Sequence, residues 1–317
     1  MTDLPKSLGY NVPWSTRVIR ALKRDRWLYL IMLLPALYYI LFWYYPMYGV
    51  TIAFKDFKPK LGIPGSPWTS QHGMKYVLQV VNDPYFWTVF KNTIVLNVEN
   101  LLVTFPAPII LALLLNELTS TRYKRVVQTV TYLPHFLSTV VVVGMLNTMF
   151  NSTGIVNEII ASLGFDKINF LNDAQYFRPM YIGSNVWQSI GWDSIIFLSA
   201  LSGLDQELYE AARIDGAGRW KQTLHITIPG ILPTIIIMLI LAMGKIMNVS
   251  YQKVLLMMTG SNQSVADVIS TYVYRSGITK ADFSYATAVN LFQSLVSLLF
   301  VGVTNYISRR TSETSLW

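Results

Sequence analysis

The sequence predicts an all-α integral membrane protein with six transmembrane helices and a cytoplasmic elbow between the fourth helix and the fifth. Three observations support this fold: few charged residues, long uncharged segments and an uneven distribution of Lys and Arg. Only 13% of the 317 residues are charged, against about 25% in soluble domains. Because 52% are also hydrophobic, the composition excludes an ordinary soluble fold.

Four uncharged segments are long enough to cross a bilayer as helices, which takes about 20 residues. They cover 27–54, 126–157, 222–244 and 283–308. Two further segments are apolar except for a few residues, among them Glu99 in one and Asp193 in the other. Each is predicted to be helical, because lipid offers the backbone no hydrogen-bond partners. The six predicted spans cover about 27–47, 92–117, 126–150, 180–201, 229–249 and 284–307.

Lys and Arg residues are concentrated on one side of the predicted spans, as in cytoplasmic loops. Six of them lie in the first 26 residues, and others follow spans two, four and six. An even number of spans brings both termini to that cytoplasmic side. Residues 1–26 are predicted to form a basic segment, either along the anionic lipid surface or as a solvated tail. Residues 27–310 form the predicted transmembrane domain and 311–317 a cytoplasmic tail.

The composition gives no reason to expect bound metals or cofactors. The chain has no cysteine and only three scattered histidines, so neither a thiolate site nor a histidine cluster is predicted. We therefore expect no cofactor, no metal ion and no nucleic-acid partner, with membrane lipid as the surrounding medium.

The fourth connection, 202–228, is predicted to fold as an elbow of two short helices. Asp205 is a suitable N-cap for a helix over 206–215. Gly216 suits the left-handed position just beyond the end of that helix. A second helix over 219–227 is predicted to stop at Pro229, where span five begins.

The first elbow helix would place Leu208, Ala211, Ala212 and Asp215 near one face, because residues three and four apart are neighbours on a helix. Small side chains allow another backbone to approach closely. This face is therefore suited to a groove on a partner protein. Packing of the elbow on its own helical bundle is the alternative, and the pattern alone leaves both open.

The elbow also resembles the EAA loop of ATP-binding-cassette importer permeases. The likeness lies in Glu210-Ala211-Ala212, Gly216, Ile226 and Pro229, with Ile228 in place of the Leu that usually precedes the proline. Segments 186–198 and 208–217 extend the likeness to sugar permeases of the maltose-transporter type. Segments 46–49, 53–56 and 270–275 resemble the branch that serves complex oligosaccharides and polysaccharide fragments.

The resemblance implies a type I importer permease that moves oligosaccharides across the cytoplasmic membrane. It also implies three kinds of partner: a second, homologous permease in a heterodimer, two cytoplasmic ATPase subunits and an extracytoplasmic solute-binding protein. The chain lacks a G-x-x-x-x-G-K-[ST] phosphate loop, so ATP hydrolysis is expected on the partner subunits. The residues expected to couple the elbow to those ATPases are Glu210, Ala211, Ala212, Asp215, Gly216, Ile226 and Pro229.

Polar and aromatic residues within the spans are candidates for the path of the sugar. They are Asn185, Trp187, Trp192 and Asp193 in span four, and Lys245, Asn248, Tyr251 and Gln252 at the end of span five. Hydrogen bonding between helices explains such residues equally well. Lys245 lies in the outer half of the bilayer, where it either extends to the headgroups or binds a carboxylate of an acidic oligosaccharide.

Two other classes of function would leave different patterns in the sequence. An intramembrane enzyme acting on lipid-linked sugars would need catalytic motifs, and neither H-E-x-x-H nor G-x-S-x-G is present. A secondary transporter would show internal repeats and broken helices, whereas Pro134 and His135 are expected only to kink span three. The sequence thus predicts a transport subunit rather than an enzyme.

Overall fold

The structure, a computed structural model, describes residues 23–312, and these residues are nearly all helical. Within this range the β-type pairing is limited to one isolated bridge between Lys55 and Trp68. Five helical segments are long and apolar enough to cross a membrane: Arg26–Phe54, Pro84–Asn116, Thr139–Ser162, Arg219–Gly244 and Phe283–Arg310. A further helix, Ala174–Ser202, has 29 residues and includes the polar residues of predicted span four. The prediction of an all-α membrane protein is confirmed.

Span one is a single helical rod that stands apart from the rest of the chain. It consists of Arg26–Tyr39, a π-helical turn Ile40–Tyr44, Tyr45–Met47 and a 3-10 segment Tyr48–Phe54. Every large hydrophobic side chain from Trp27 to Tyr48 is at least 45% exposed within this chain. The rod is anchored at its C-terminal end, where Ala53 and Phe54 pack into a core shared with spans two and six.

Span two begins at Pro84, eight residues before the predicted start. Asp83 caps it by accepting the Tyr85 N–H at 2.9 Å, and proline is well suited to the first helical position. The helix Pro84–Thr104 continues through Phe105 into Pro106–Asn116. The prediction missed this first part of the span because Lys91 and its polar neighbours interrupt the uncharged segment.

Span three is broken, not merely kinked as predicted. A helix Thr121–Tyr132 and a 3-10 turn Leu133–Phe136 precede two extended residues, Leu137 and Ser138, and the helix Thr139–Phe150 follows. Pro134 lacks the N–H that would continue the first helix, and Ser138 caps the second by accepting the Val141 N–H at 3.3 Å. Gln188 donates to the carbonyl of Leu137 at 2.9 Å. The expectation that no helix is broken is therefore wrong.

The elbow joins the long helix Ala174–Ser202 to span five. Its first helix is Gln206–Ile214, and its second, Arg219–Gln222, runs through a π-helical turn Thr223–Thr227 into Ile228–Gly244. The prediction that the second helix stops at Pro229 is wrong. The π-helical turn shifts the hydrogen-bond ladder by one residue just before the proline, so the helix continues although Pro229 has no N–H to donate.

Span five ends at Gly244, five residues earlier than predicted. The chain then turns, and Ser250 caps a separate short helix Tyr251–Met257. Asn248, Tyr251 and Gln252 therefore do not continue span five, which corrects their predicted placement. The remaining helices on the way to span six are Gln263–Ala266, Ile269–Tyr274 and a π-helical turn Arg275–Thr279, and span six is Phe283–Ser312.

Short helices fill the two long connections on the opposite side from the elbow. The first connection contains Gly62–Gly65, Gln71–Gly73 and Lys75–Asn82, and the second contains Ile155–Ser162. Lys55 is buried there, and its ammonium donates to the carbonyl of Ile63 at 2.8 Å. This hydrogen bond joins the end of span one to the helix Gly62–Gly65.

Candidate functional site

The elbow's first helix is held by local capping at both ends. Asp205 accepts the Glu207 N–H at 2.9 Å, and the Ala217 N–H donates back to the carbonyl of Ala212 at 2.8 Å. Gly216 lies between them with a φ of +75°, and a Cβ there would meet no atom within 4 Å. Glycine is thus favoured at this position by backbone conformation and not by lack of space.

The elbow presents unpartnered apolar side chains. Glu210, Ala211, Asp215, Gly216 and Pro229 are exposed, and Ala212 and Ile226 are half-buried. Ile214 is 87% exposed and Trp220 is 74% exposed. The sequence interpretation did not single out these two, although large hydrophobic residues in a polar connection are a detectable signal. Together with Leu208, they make the elbow suitable for contact with another protein.

The elbow is attached to the start of span five. Tyr209 Oη and Thr227 Oγ1 are 2.9 Å apart, and Gln222 donates to the carbonyl of Ala217 at 2.7 Å. A Cβ on Gly230 would lie 2.6 Å from Leu204 Cδ2, so the beginning of the elbow packs closely on span five. A force applied to the elbow would therefore reach that helix directly.

A second group of candidate residues surrounds the break in span three. The rings of His135 and Trp192 are stacked, with centroids 4.5 Å apart and an angle of 2° between their planes. Asp193 follows Trp192 on the same helix, and its carboxylate is near enough to His135 and to Lys245 for a through-space electrostatic interaction. The contact that the structure shows at the break is the stacked pair of His135 and Trp192. The sequence predicted only a kink at His135 and did not indicate its contact with Trp192.

Gly191 permits this close approach of spans three and four. A Cβ at Gly191 would lie 2.1 Å from the carbonyl oxygen of Thr131 and 2.3 Å from its carbon. Both are backbone atoms of the helix that leads into the break, so they cannot rotate away. The glycine is needed because no larger residue fits between the two helices.

Asn185 belongs to a different, buried polar group. Its side chain donates to Asn100 Oδ1 at 2.8 Å and accepts from Lys253 Nζ at 2.5 Å. The Lys253 ammonium also lies 5.3 Å from the centre of the Tyr181 ring, and the residue is only 3% exposed. Sequence reasoning missed Lys253, because its burial depends on the return of the chain after Gly244.

The other candidate path residues lie apart from the break. Trp187 lines an apolar cavity of about 560 Å³ between the second half of span three and span four. Asn248 accepts from Gln293 at 3.1 Å, and the Tyr251 ring stacks on Tyr274 with centroids 5.4 Å apart. Gln252 is exposed. The eight predicted residues therefore do not form one site.

A buried ion pair fixes the segment before span six to span two. Asp267 accepts from the Arg275 guanidinium at 2.5 Å and from Thr271 at 2.7 Å. The Oδ2 atom that accepts from Arg275 also accepts from the hydroxyl of Tyr85, in the first turn of span two, and Thr271 donates to Oδ1. This network holds the start of span two and the segment before span six in one arrangement.

Asp83, the N-cap of span two, is a second carboxylate in the same region. Burial alone would raise the pKa of its carboxyl, but hydrogen bonds from the Tyr272 and Tyr285 hydroxyls, at 2.7 and 2.8 Å, outweigh burial and lower it. Burial raises the pKa of Tyr272 to about 12. Asp83 is therefore held as the carboxylate, and Tyr272 as the neutral phenol that donates to it.

The chain is similar to proteins of one transport family. A profile of the family described as "Binding-protein-dependent transport system inner membrane component" matches residues 104–313. Protein LplB of Bacillus subtilis is 45% identical over 98% of this chain and 95% of its own. The polygalacturonan/rhamnogalacturonan transport system permease protein YteP of the same organism is 41% identical over 95% of this chain and 93% of its own.

Two solved structures have the same fold. One is a bacterial ABC transporter that imports the acidic polysaccharide alginate, and its matching chain is 39% identical, with a TM-score of 0.86 over 93% of this chain and 99% of that chain. The other is a bacterial alginate ABC transporter in complex with a periplasmic protein that holds an alginate pentasaccharide. It is 38% identical, with a TM-score of 0.87 over 95% of this chain and 100% of that chain.

Proposed function

This chain belongs to the family of binding-protein-dependent transport system inner membrane components, and from that premise we propose that it forms half of a heterodimeric oligosaccharide pathway. Its relatives include a permease of a polygalacturonan/rhamnogalacturonan transport system and a chain of an ABC transporter involved in alginate import, so the chain is an import permease subunit and not an enzyme. The alternative of an enzyme acting on lipid-linked sugars has no support. Six spans, with both termini in the cytoplasm, complete the proposed arrangement in the cytoplasmic membrane.

The observation that carries the heterodimer proposal is the isolation of span one. The apolar window of this 29-residue segment has no buried position, so that part of the helix gains no packing energy from its own chain. Helices in membranes associate through close packing of their side chains, and span one offers a whole aromatic and aliphatic surface for it. A second, homologous permease is the proposed partner for this surface.

The elbow is the proposed binding site of the ATPase subunits. Glu210, Ala211, Ala212, Asp215 and Gly216 occupy its exposed first helix and the turn after it. The exposed side chains of Leu208 and Ile214 supply apolar anchors of the kind that dominate protein interfaces. Since the elbow packs on the start of span five, movement of an ATPase would be transmitted to the helix that ends beside Lys245.

The outer face is the proposed site for a solute-binding protein. The first and second long connections are built from short helices on the side opposite to the elbow, and the ion pair of Asp267 and Arg275 stabilises the neighbouring segment. A stable surface lowers the entropic cost of association. The related alginate transporter holds its periplasmic binding protein in a complex.

The proposed cargo is an acidic oligosaccharide, selected in part by Lys245. Two observations support this: relatives whose names give alginate or polygalacturonan as cargo, and the exposed Lys245 at the end of span five, near enough to Asp193 for electrostatic interaction. A hydrogen bond to a charged group contributes about 1.5–3 kcal/mol. Its loss should weaken recognition of an acidic sugar by roughly tenfold or more.

Uptake of matched acidic and neutral oligosaccharides tests the cargo. In Lys245→Met the length of the side chain is retained and its charge removed, and Lys91→Met removes an exposed cation on span two. We expect Lys245→Met to reduce uptake of the acidic oligosaccharide by roughly tenfold and to leave uptake of the neutral one unchanged. The control Lys91→Met should take up both oligosaccharides like the wild type. Equal effects on both sugars, or no effect on either, would refute selection by Lys245 while leaving the permease assignment intact.

Composition of the purified complex tests the partners. Native mass spectrometry of the transporter extracted from its own membrane should find one copy of this chain, one homologous permease and two ATPase subunits. Two copies of this chain without a second permease would contradict the heterodimer.

A further inference from the structure

Two adjoining cavities lie where the elbow meets the end of span two. The first has a volume of about 630 Å³ and is lined by polar side chains, among them Glu117, Tyr209, Arg213 and Arg219. The second has a volume of about 390 Å³ and is lined by Ile110, Leu113, Leu114 and Trp220. We call them the polar cavity and the apolar groove. They share Asn116, Glu117 and Arg219, so a single molecule can occupy both.

The polar cavity has one net positive charge. Arg219 lies 3.6 Å from the Glu117 carboxylate, which neutralises one of the two guanidinium groups. The side chain of Arg213 has no hydrogen bond or ion pair with any residue in the described range 23–312. A phosphodiester carries a single negative charge, and guanidinium groups bind phosphate oxygens with two parallel hydrogen bonds. The charge and the available donors of the cavity thus match one phosphodiester.

The apolar groove opens towards lipid. Ile110 and Leu114 are exposed on the side of span two, within its last two turns. Trp220 is exposed at the start of span five, and tryptophan concentrates at the boundary between hydrocarbon and water. An acyl chain lying on Leu113 and Leu114 would remain in the bilayer while its headgroup reached the polar cavity.

We propose that the polar cavity and the apolar groove together bind one anionic phospholipid of the inner leaflet. Its phosphate lies between Arg213 and Arg219, and an acyl chain follows the apolar groove. This proposal rests on the cytoplasmic placement of the elbow in the proposed function. Because Arg213 belongs to the first elbow helix and the groove to span two, the lipid connects the elbow to the bundle.

Lipid retention by the purified transporter complex tests the site. The complex is incubated with equal amounts of phosphatidylglycerol and phosphatidylcholine of the same acyl chains, and bound lipid is counted by native mass spectrometry. The wild type should retain phosphatidylglycerol over phosphatidylcholine. The double variant Arg213→Gln, Arg219→Gln should lose most of that preference, at least about fivefold. The control Arg122→Gln, Arg125→Gln, which removes two exposed cations outside the cavity, should behave like the wild type.

A second measurement covers the case in which the double variant does not assemble. Phosphatidylglycerol with brominated acyl chains should quench tryptophan fluorescence in the wild type more than in Trp220→Phe. Soluble glycerol phosphate should displace nothing, since it lacks the acyl chain. The proposal is overturned if the wild type retains the two lipids equally or if the double variant keeps the preference of the wild type. It is also overturned if the brominated lipid quenches the wild type and Trp220→Phe equally, or if glycerol phosphate displaces the bound lipid. Wild-type uptake and topology remain separate readouts, so failure of the lipid site is distinguishable from failure of the proposed function.

Discussion

Replacement of Gly191 by alanine should disrupt the junction between spans three and four. The added Cβ would lie 2.1 Å from the carbonyl oxygen of Thr131, with two further atoms of that residue at 2.3 and 2.9 Å. An ordinary contact requires at least 3.4 Å, so the helices must separate by about 1.3 Å (3.4 minus 2.1). Thr131 lies four residues before His135, and Gly191 lies one residue before Trp192. The separation would therefore pull apart the stacked rings of His135 and Trp192.

The cost can be bounded from known effects of overpacking. Extra methyl groups forced into a packed interior cost about 1–3 kcal/mol, whereas glycine to alanine in a helix returns up to about 1 kcal/mol of helix propensity. The net expectation for Gly191→Ala is therefore a loss of stability. Gly183 lies on the same helix, and a Cβ there would meet no atom within 4 Å. Gly183→Ala thus provides a matched control with the same change in propensity.

The assay is thermal unfolding of the purified complex, followed by oligosaccharide uptake in vesicles. Gly191→Ala should melt at a lower temperature than the wild type and transport more slowly, and Gly183→Ala should equal or exceed the wild type in stability. If the two variants melt at the same temperature, the close approach at Gly191 is not limiting and the packing argument is wrong.

Two further predictions concern the outer network and the topology. Because the pKa of Asp83 is lowered in the folded chain, its stabilising contribution should be complete above the ordinary value of 3.8 and lost as the pH falls below it. Tyr272→Phe, which removes one donor to Asp83, should flatten this acid dependence of the melting temperature, and an unchanged dependence would contradict the assigned cause. Single cysteines, in a chain that has none of its own, should be labelled from the cytoplasm at Ser120 and Ser202 and from outside at Ser70, Ser152 and Ser261. Labelling of Ser261 from the cytoplasm alone would refute six spans.

The elbow was predictable because its signals are local. Asp205 caps the first helix and Gly216 takes a positive φ, as side-chain chemistry within a few residues indicates. The second elbow helix was predicted less well. A rule based on proline alone could not anticipate the π-helical turn before Pro229.

The break in span three could not be predicted from the sequence, because the contacts that form it are long-range. Pro134 indicated a disturbance in span three, but a full break also needs the cap at Ser138 and a donor from Gln188, 51 residues from Leu137. The burial of Lys253 could not be predicted for the same reason. The chain turns back after Gly244, and this turn brings the Lys253 ammonium to the Tyr181 ring and the Asn185 side chain. Hydropathy locates spans, and it carries no information on which polar side chains meet inside them.

The most direct test of the central claim measures coupling between ATP hydrolysis and uptake in proteoliposomes that contain the complete transporter. Gly216→Val forces a β-branched residue into a φ of +75°, which costs at least about 1–2 kcal/mol, and Glu210→Lys reverses an exposed charge on the elbow. Gly218→Val is the control, since Gly218 has a φ of −67° and a Cβ there would meet no atom within 4 Å. We predict that the double variant Gly216→Val, Glu210→Lys inserts into the membrane but loses both uptake and substrate-stimulated ATPase activity, while Gly218→Val retains both. Normal uptake by the double variant would contradict the coupling role of the elbow.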